Sequence, residues 1–185
     1  METDNELIER VRGGEDEAFR LLVERHSRAI YRSAYRITGN SADADDVVQE
    51  TFLRAYRSLG RFDARAAFTT WLHRIAVNCS LDLIDSRKRR DGRISDGEDL
   101  AGIASPAATP DRVVSGLEMQ RAVATAMERL SGNERTAFVL RHFEGMPLEE
   151  IGKVLGTQLN ATKNTVFRAV KKLREQLQPY TGSLV

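Results

Sequence analysis

One cysteine in 185 residues, Cys79, leaves no internal disulfide available. The histidines His26, His73 and His142 lie too far apart along the chain to suggest a local metal-ligand cluster, so no metal is expected. No apolar run approaches the roughly 18 residues that would suggest a membrane span. The stretch from Met1 to Glu9 is acidic and polar, unlike a secretory leader. Membrane insertion is therefore not expected, and the cytoplasm is the default address. A nucleophile beside a positioned base is also missing. His73, near Trp71, has no partner motif and reads as an interfacial side chain rather than a general base. No catalytic residue and no cofactor is assigned, and an enzyme is not expected.

Net charge is nearly absent too, at +1, and taken alone that argues against a polyanion binder. Its distribution says otherwise. From Asn160 to Arg174 there are five basic residues (Lys163, Arg168, Lys171, Lys172, Arg174) and no acid, while Asp91 to Glu118 holds six acids against Arg93 and Arg112. With 41% hydrophobic and 30% charged residues, the chain can bury a core beneath a charged surface.

The apolar spacing is helical throughout, with no strand pattern and no internal repeat, so the fold class is all-α. Phe19, Leu22, Val23, His26, Ile30, Ala34 and Ile37 mark a long amphipathic helix that Gly39-Asn40 ends. Asn40 or Ser41 can cap a second helix, whose acid-rich first turn precedes the stripe Val47, Val48, Thr51, Phe52, Ala55, Tyr56 and Leu59. After a break at Gly60 to Ala67, Trp71, Leu72, Ile75, Ala76, Cys79 and Leu83 share one face of a third helix, which Arg87-Lys88-Arg89-Arg90 closes. Gly92, Gly97, Gly102, Pro106 and Pro110 then punctuate a stretch too poor in apolar surface to fold alone. Beyond it come a helix through Val113 to Leu130, another from Glu134 to Phe143, and a short one from Leu148 to Leu155 with Pro147 at its first position. The last helix is expected to be capped by Asn160 and to reach about Leu177. Two small helical domains result, 1–90 and 112–185, joined by a flexible acidic linker, 91–111.

The segment Ile151-Gly-Lys-Val-Leu-Gly156-Thr-Gln-Leu-Asn160, followed by a basic helix, has the layout of a helix-turn-helix. With Val166, Val170 and Leu173 turned inward, Lys163, Asn164, Phe167, Arg168 and Lys171 are left to face a major groove, where Lys or Arg suits guanine and Asn suits adenine. A solvated basic helix would look the same in part, but the turn spacing and the acid-free run coincide. In the first domain Ser58, Arg61, Phe62, Arg65, Phe68, Trp71, Arg74 and Asn78 mix aromatic, basic and amide groups, which suits unstacked bases. Phe68 and Trp71 at helical spacing equally suit a core. The acids Asp43, Asp45, Asp46 and Glu50 complement a helix dipole and need no further role on that ground alone.

Four motifs, in order, give the chain a wider resemblance: Asp43-Ala-Asp-Asp-Val-Val-Gln-Glu-Thr-Phe52 with Arg54-Ala-Tyr-Arg57, Phe68-Thr-Thr-Trp-Leu-His-Arg-Ile-Ala-Val-Asn78, Arg141-His-Phe-Glu-Gly145, and Phe167-Arg-Ala169. From Glu6 to about Pro179 the sequence resembles the extracytoplasmic-function group of the sigma-70 family. The resemblance implies a factor that binds core RNA polymerase at the beta' clamp helices through Asp46, Val47, Gln49 and Glu50. It implies capture of a flipped minus-ten base near Ser58, Arg61, Phe62, Trp71 and Asn78, and reading of the minus-thirty-five element by Lys163, Asn164, Phe167 and Arg168, with Lys171 on the backbone. Partners so implied are core polymerase, promoter DNA and an anti-sigma factor. It further implies a linker threaded through polymerase and two domains that move independently when free. One departure stands out. Where family members commonly read Gly-Thr-Val-Lys-Ser-Arg, this chain has Asn160-Ala-Thr-Lys-Asn-Thr165, so Thr162 replaces a buried valine and Thr165 a cation. The Thr162 hydroxyl must then find a partner. The rival reading, a stand-alone regulator, predicts tight DNA binding without polymerase, and the Asp43 to Phe52 motif speaks against it.

Overall fold

A computed structural model describes residues 2–63, 67–94 and 116–181, and all of its regular structure is helical. The first half carries α1 (Asp4–Arg12), α2 (Asp16–Thr38), α3 (Ser41–Ser58), a 3-10 turn (Leu59–Arg61) and α4 (Phe68–Ile94). The second carries α5 (Gly116–Glu128), α6 (Gly132–His142), α7 (Leu148–Leu155) and α8 (Leu159–Thr181).

Helix α1 was not expected, although its start is written in the sequence. Thr3 Oγ1 accepts from the Glu6 N–H at 3.3 Å and the Glu6 carboxylate accepts from the Thr3 N–H at 2.6 Å, a reciprocal cap. Its Leu7 and Ile8 are fully buried in the first core, with Leu22, Ile30, Val47, Phe52 and Leu72. Gly39, at φ 76°, ends α2 in the left-handed conformation that glycine adopts without steric cost, and Asn40 Oδ1 caps α3 by accepting from the Asp43 N–H. Asp43 is itself buried, gripped by both terminal nitrogens of Arg87 at 2.6 Å. Arg87 thus ties α4 to the start of α3, and α4 runs on to Ile94, past the expected linker start at 91. The remaining linker positions, 95–111, lie outside the described residues, as do Arg65, Val113 and Val114.

In the second half Ser131 and Glu134 form another capping box at α6. Pro147 stands just before α7 as its N-cap rather than at its first position, and Gly156, at φ 65°, closes that helix. Helix α8 starts at Leu159, one residue before the expected cap, so Asn160 is helical and exposed.

The two halves, expected to move independently when free, pack against each other in this structure. Ile37 and Val77 of the first half are each 1% exposed because they sit in one apolar cluster with Ala137, Val139, Leu140, Met146, Ile151 and Val154 of the second. Leu81 and Ile84 of α4 pack onto it. Arg135 donates to the Ile37 carbonyl at 2.9 Å, satisfying an acceptor at the α2 terminus. Arg36 reaches Glu144 at 3.5 Å and lies over the Phe143 ring at 4.3 Å. Val77 and Leu81 fall off the α4 stripe that faces its own domain, and that is the physical reason for the difference. They leave a second apolar edge that water would otherwise wet.

Candidate nucleic-acid interface

The geometry of α8 follows from a close approach two turns earlier. A Cβ on Gly152 would lie 2.8 Å from the Thr157 carbonyl oxygen and 3.1 Å from the Thr162 hydroxyl, so only glycine lets α7 meet the turn and α8. Thr162, wholly buried, donates to the Gln158 carbonyl or shares a proton with the Thr157 hydroxyl, at 3.0 and 2.8 Å. The hydroxyl that stands in place of valine therefore has its partner. Thr165, 9% exposed, donates to the Ala161 carbonyl at 2.9 Å and accepts from Arg168 at 3.4 Å.

Ala169 and Leu173 anchor α8 in the core, and its opposite face presents Lys163, Asn164, Phe167, Arg168 and Lys171, all exposed. Their spacing of i, i+1, i+4, i+5 and i+8 puts them on one side of the helix. Phe167 is 68% exposed, which no folding requirement explains. The structure brings all five expected residues together. Sequence reasoning missed Glu134, a 5% exposed carboxylate that accepts from Lys172 at 2.8 Å and lies 3.7 Å from the Arg168 guanidinium. Burial pushes its pKa up, but the Lys172 ammonium and the Ser131 N–H and hydroxyl outweigh this and hold it below the ordinary value. The Ser131-to-Glu134 capping signature was its available signal.

The first-half cluster is organised differently. Phe62 and Phe68 are 4% and 3% exposed and meet edge-to-face at 5.7 Å, while Trp71, half-buried, lies 5.2 Å from Phe62 and 5.7 Å from Phe68. For the two phenylalanines the core reading holds in this conformation. Arg12 of α1 clamps the adjoining backbone, donating to the Leu59 and Phe62 carbonyls. Ser58 is committed to the Arg54 carbonyl at 2.5 Å, whereas Arg61 and Asn78 are exposed. His73, buried, lies 3.4 Å from the Ser33 hydroxyl and 2.8 Å from the Thr69 carbonyl. It is a packed side chain between α2 and α4.

On α3, Asp46 and Gln49 are exposed, Glu50 is half-buried and Val47 is 1% exposed. Val47 nonetheless floors a cleft of about 250 Å³ walled by Asp46, Glu50, Arg54, Cys79 and Leu83. Burial pushes the Cys79 thiol up, and the nearby Arg54 guanidinium opposes this. Leu53, 44% exposed, extends the same face. Among the described residues no helix is long and apolar enough to cross a membrane.

Two helical modules, one of them a helix-turn-helix with a cationic outer face, define a protein built to read DNA. Comparison with known proteins narrows this. Residues 22–90 match the model of Sigma-70 region 2 and residues 120–173 that of Sigma-70, region 4. The chain is 35% identical to the RNA polymerase sigma-H factor of Pseudomonas aeruginosa, over 97% of this chain and 96% of that protein. It is 33% identical to the ECF RNA polymerase sigma-E factor of Haemophilus influenzae, over 96% of each. Among solved structures it resembles CnrH in complex with the cytosolic domain of CnrY, with a TM-score of 0.69 and 30% identity over 95% of this chain and 97% of that one. It also resembles RpoE in complex with the anti-sigma factor NepR from Bartonella quintana, with a TM-score of 0.65 and 25% identity over 86% and 96%. The chain belongs to the extracytoplasmic-function group of the sigma-70 family of RNA polymerase sigma factors.

Proposed function

We propose that this chain binds core RNA polymerase in the cytoplasm and directs it to promoters by two separate readings of DNA, without covalent chemistry of its own. The α8 face, Lys163, Asn164, Phe167 and Arg168 with Lys171 on a phosphate, reads the minus-thirty-five element in the major groove. The region of Ser58, Arg61, Phe62, Trp71 and Asn78 holds an unstacked minus-ten base, whose flipping costs a few kcal/mol that stacking and amide hydrogen bonds offset. The α3 cleft face, with Asp46, Gln49 and Glu50 around Val47, docks on the beta' clamp helices. The working units are 1–90 and 112–185 with a linker between them.

The observation that carries this reading is the prebuilt α8 face, seated by the Gly152, Thr157 and Thr162 contact in a chain of this family. The packed halves add a requirement. The two promoter elements are separated by 25 base pairs in name, roughly 85 Å at about 3.4 Å per base pair. Two modules of this size, each about 12 Å in radius of gyration, cannot span that while sharing one apolar cluster. The cluster of Ile37, Val77, Val139 and Leu140 therefore opens on polymerase. An anti-sigma partner would act by holding the closed state; the similar RpoE of Bartonella quintana is solved in complex with the anti-sigma factor NepR.

The test is transcription from purified components. The chain alone should bind promoter DNA weakly, and adding core polymerase should give sequence-specific open complexes. Tight promoter binding by the chain alone, unchanged by core enzyme, would instead establish the stand-alone regulator.

A further inference from the structure

Helix α2 carries a feature that none of these roles uses. From Arg25 to Ala42 there are four arginines (Arg25, Arg28, Arg32, Arg36) and no acid, in a chain whose net charge is only +1. Arg25 is engaged by Asp4 and the Glu2 carbonyl. Arg28 and Arg32 are exposed and have no acidic partner among the described residues. They alternate with tyrosines: Arg28, Tyr31, Arg32, Tyr35 and Arg36 follow the spacing i, i+3, i+4, i+7 and i+8, a single stripe along the helix.

Of the aromatic members, Tyr31 is half-buried against the first core and Tyr35 is open. Tyr31 and Tyr35 stack with ring centroids 6.3 Å apart and planes 11° from parallel, and Tyr35 is 47% exposed. At the end of the stripe Arg36 lies over Phe143, itself 50% exposed. The arginines recur every four residues, about 6 Å along the axis, or roughly twice the axial rise of about 3.4 Å per nucleotide. Unpaired guanidiniums attract phosphates, and exposed ring faces give unstacked bases a platform. A duplex would leave the tyrosine faces unused, because its bases are stacked on one another. An acidic amphipathic helix would need an apolar groove, and this face offers rings and charges instead.

We propose that the α2 stripe, from Arg28 to Arg36 with Phe143 at its end, is a binding surface for single-stranded DNA. It shares no residue with the surfaces assigned to the two promoter elements or to polymerase, and it does not depend on those assignments. Arg28 and Arg32 set the phosphate contacts, and Tyr35 provides the stacking face.

Fluorescence anisotropy with end-labelled oligothymidylate, titrated with the full chain between about 50 and 200 mM salt, tests this. The parent chain should bind. The Arg28→Ala, Arg32→Ala double variant should flatten the slope of log affinity against log salt by about 1.4, at roughly 0.7 per lost phosphate contact on a single strand. Tyr35→Leu should weaken binding about tenfold with the slope unchanged, the signature of lost stacking rather than lost charge. Arg20→Ala, on α2 but paired with Glu17 and Glu24 and outside the stripe, should leave both unaltered. These positions are solvent-facing, and matched thermal melting curves exclude misfolding. Failure of the parent to bind, or an arginine variant indistinguishable from it, overturns the proposal. So does at least tenfold tighter binding of oligouridylate, which would assign the stripe to RNA. Displacement by a peptide of residues 91–111 that needs the same arginines would assign it to a protein segment, again overturning it. Association with core polymerase, measured separately on the same variants, tells a failure here from a failure of the promoter-reading role.

Discussion

The two candidate DNA-reading surfaces differ in readiness. On α8, five side chains stand exposed on one helix face, and Phe167 shows 68% of its surface to water. Around the 3-10 turn, Phe62 and Phe68 are withdrawn to 4% and 3%, wedged against Trp71, with the backbone pinned by Arg12. A rigid face is enough for intact duplex, whose base edges are already presented in the groove. A flipped base needs a cavity, and a cavity held open in the free protein would cost packing energy. On the proposed reading the closed aromatic wedge would be the resting form of the minus-ten site, and the contrast implies opposite consequences for apparently similar aromatic substitutions.

The largest effect should come from Phe62→Ala. It removes a buried ring from a three-aromatic contact, and unfolding free energy should fall by about 3–5 kcal/mol. Denaturant melts report it directly, and a loss under about 1 kcal/mol would mean that the wedge is loose rather than closed. Phe167→Ala should lie at the other extreme, with stability within about 0.5 kcal/mol of the parent. Next in size is Arg168→Ala, expected to lower discrimination at one minus-thirty-five base pair by about 1–3 kcal/mol while leaving thermal stability nearly unchanged. Open-complex yields on promoters varied one base pair at a time measure it. Uniform yields before and after the substitution would remove Arg168 from base reading.

The contrast also shows what a sequence can carry. Periodicity located α2, α3, α6 and α7 because each has one apolar stripe and a chemical stop, such as Gly39 or Gly156. The α8 face was legible for a related reason: an acid-free run on a helix whose inner residues are fixed leaves little choice for the outer ones. Helix α1 was missed because nine residues with two buried side chains give too short a period to stand out. Asn160 was misplaced as a cap because Thr157 and Thr162, bonded across the turn, bring the helix start one residue forward. The interface between the halves was illegible for a different reason. Ile37 and Val77 are 1% exposed through contacts with Val139, Leu140 and their neighbours, which lie on helices far along the chain, and spacing within one helix cannot name a partner on another.

That turn contact gives a smaller, sharper test of the second half. Thr162→Val restores the side chain that relatives commonly carry but leaves the Thr157 hydroxyl without its 2.8 Å partner. Stability should drop by about 1 kcal/mol, seen as a lower melting temperature of the second half. A gain on making this substitution would show that the two hydroxyls do not bond.

A still smaller loss of stability than that of Thr162→Val links the second core to the reading face. Glu134 is held below the ordinary carboxylate value: burial opposes the shift, and Lys172 and Ser131 overcome it. A carboxyl whose folded pKa is depressed contributes stability that is fully present above the unfolded value of about 4.3 and is lost as pH falls through the folded value. Glu134→Gln keeps a hydrogen-bond acceptor for the Ser131 N–H but loses the charge facing Lys172 and Arg168. Because the Lys172 side chain is 45% exposed, solvent screens the pair, and the cost at neutral pH should be only about 0.5–1 kcal/mol. The melting difference between Glu134→Gln and the parent should persist down to about pH 5 and shrink steadily below about pH 4. If it stayed constant to about pH 3, the carboxylate charge would not be its source, and Glu134 would act on α8 through the α6 cap alone.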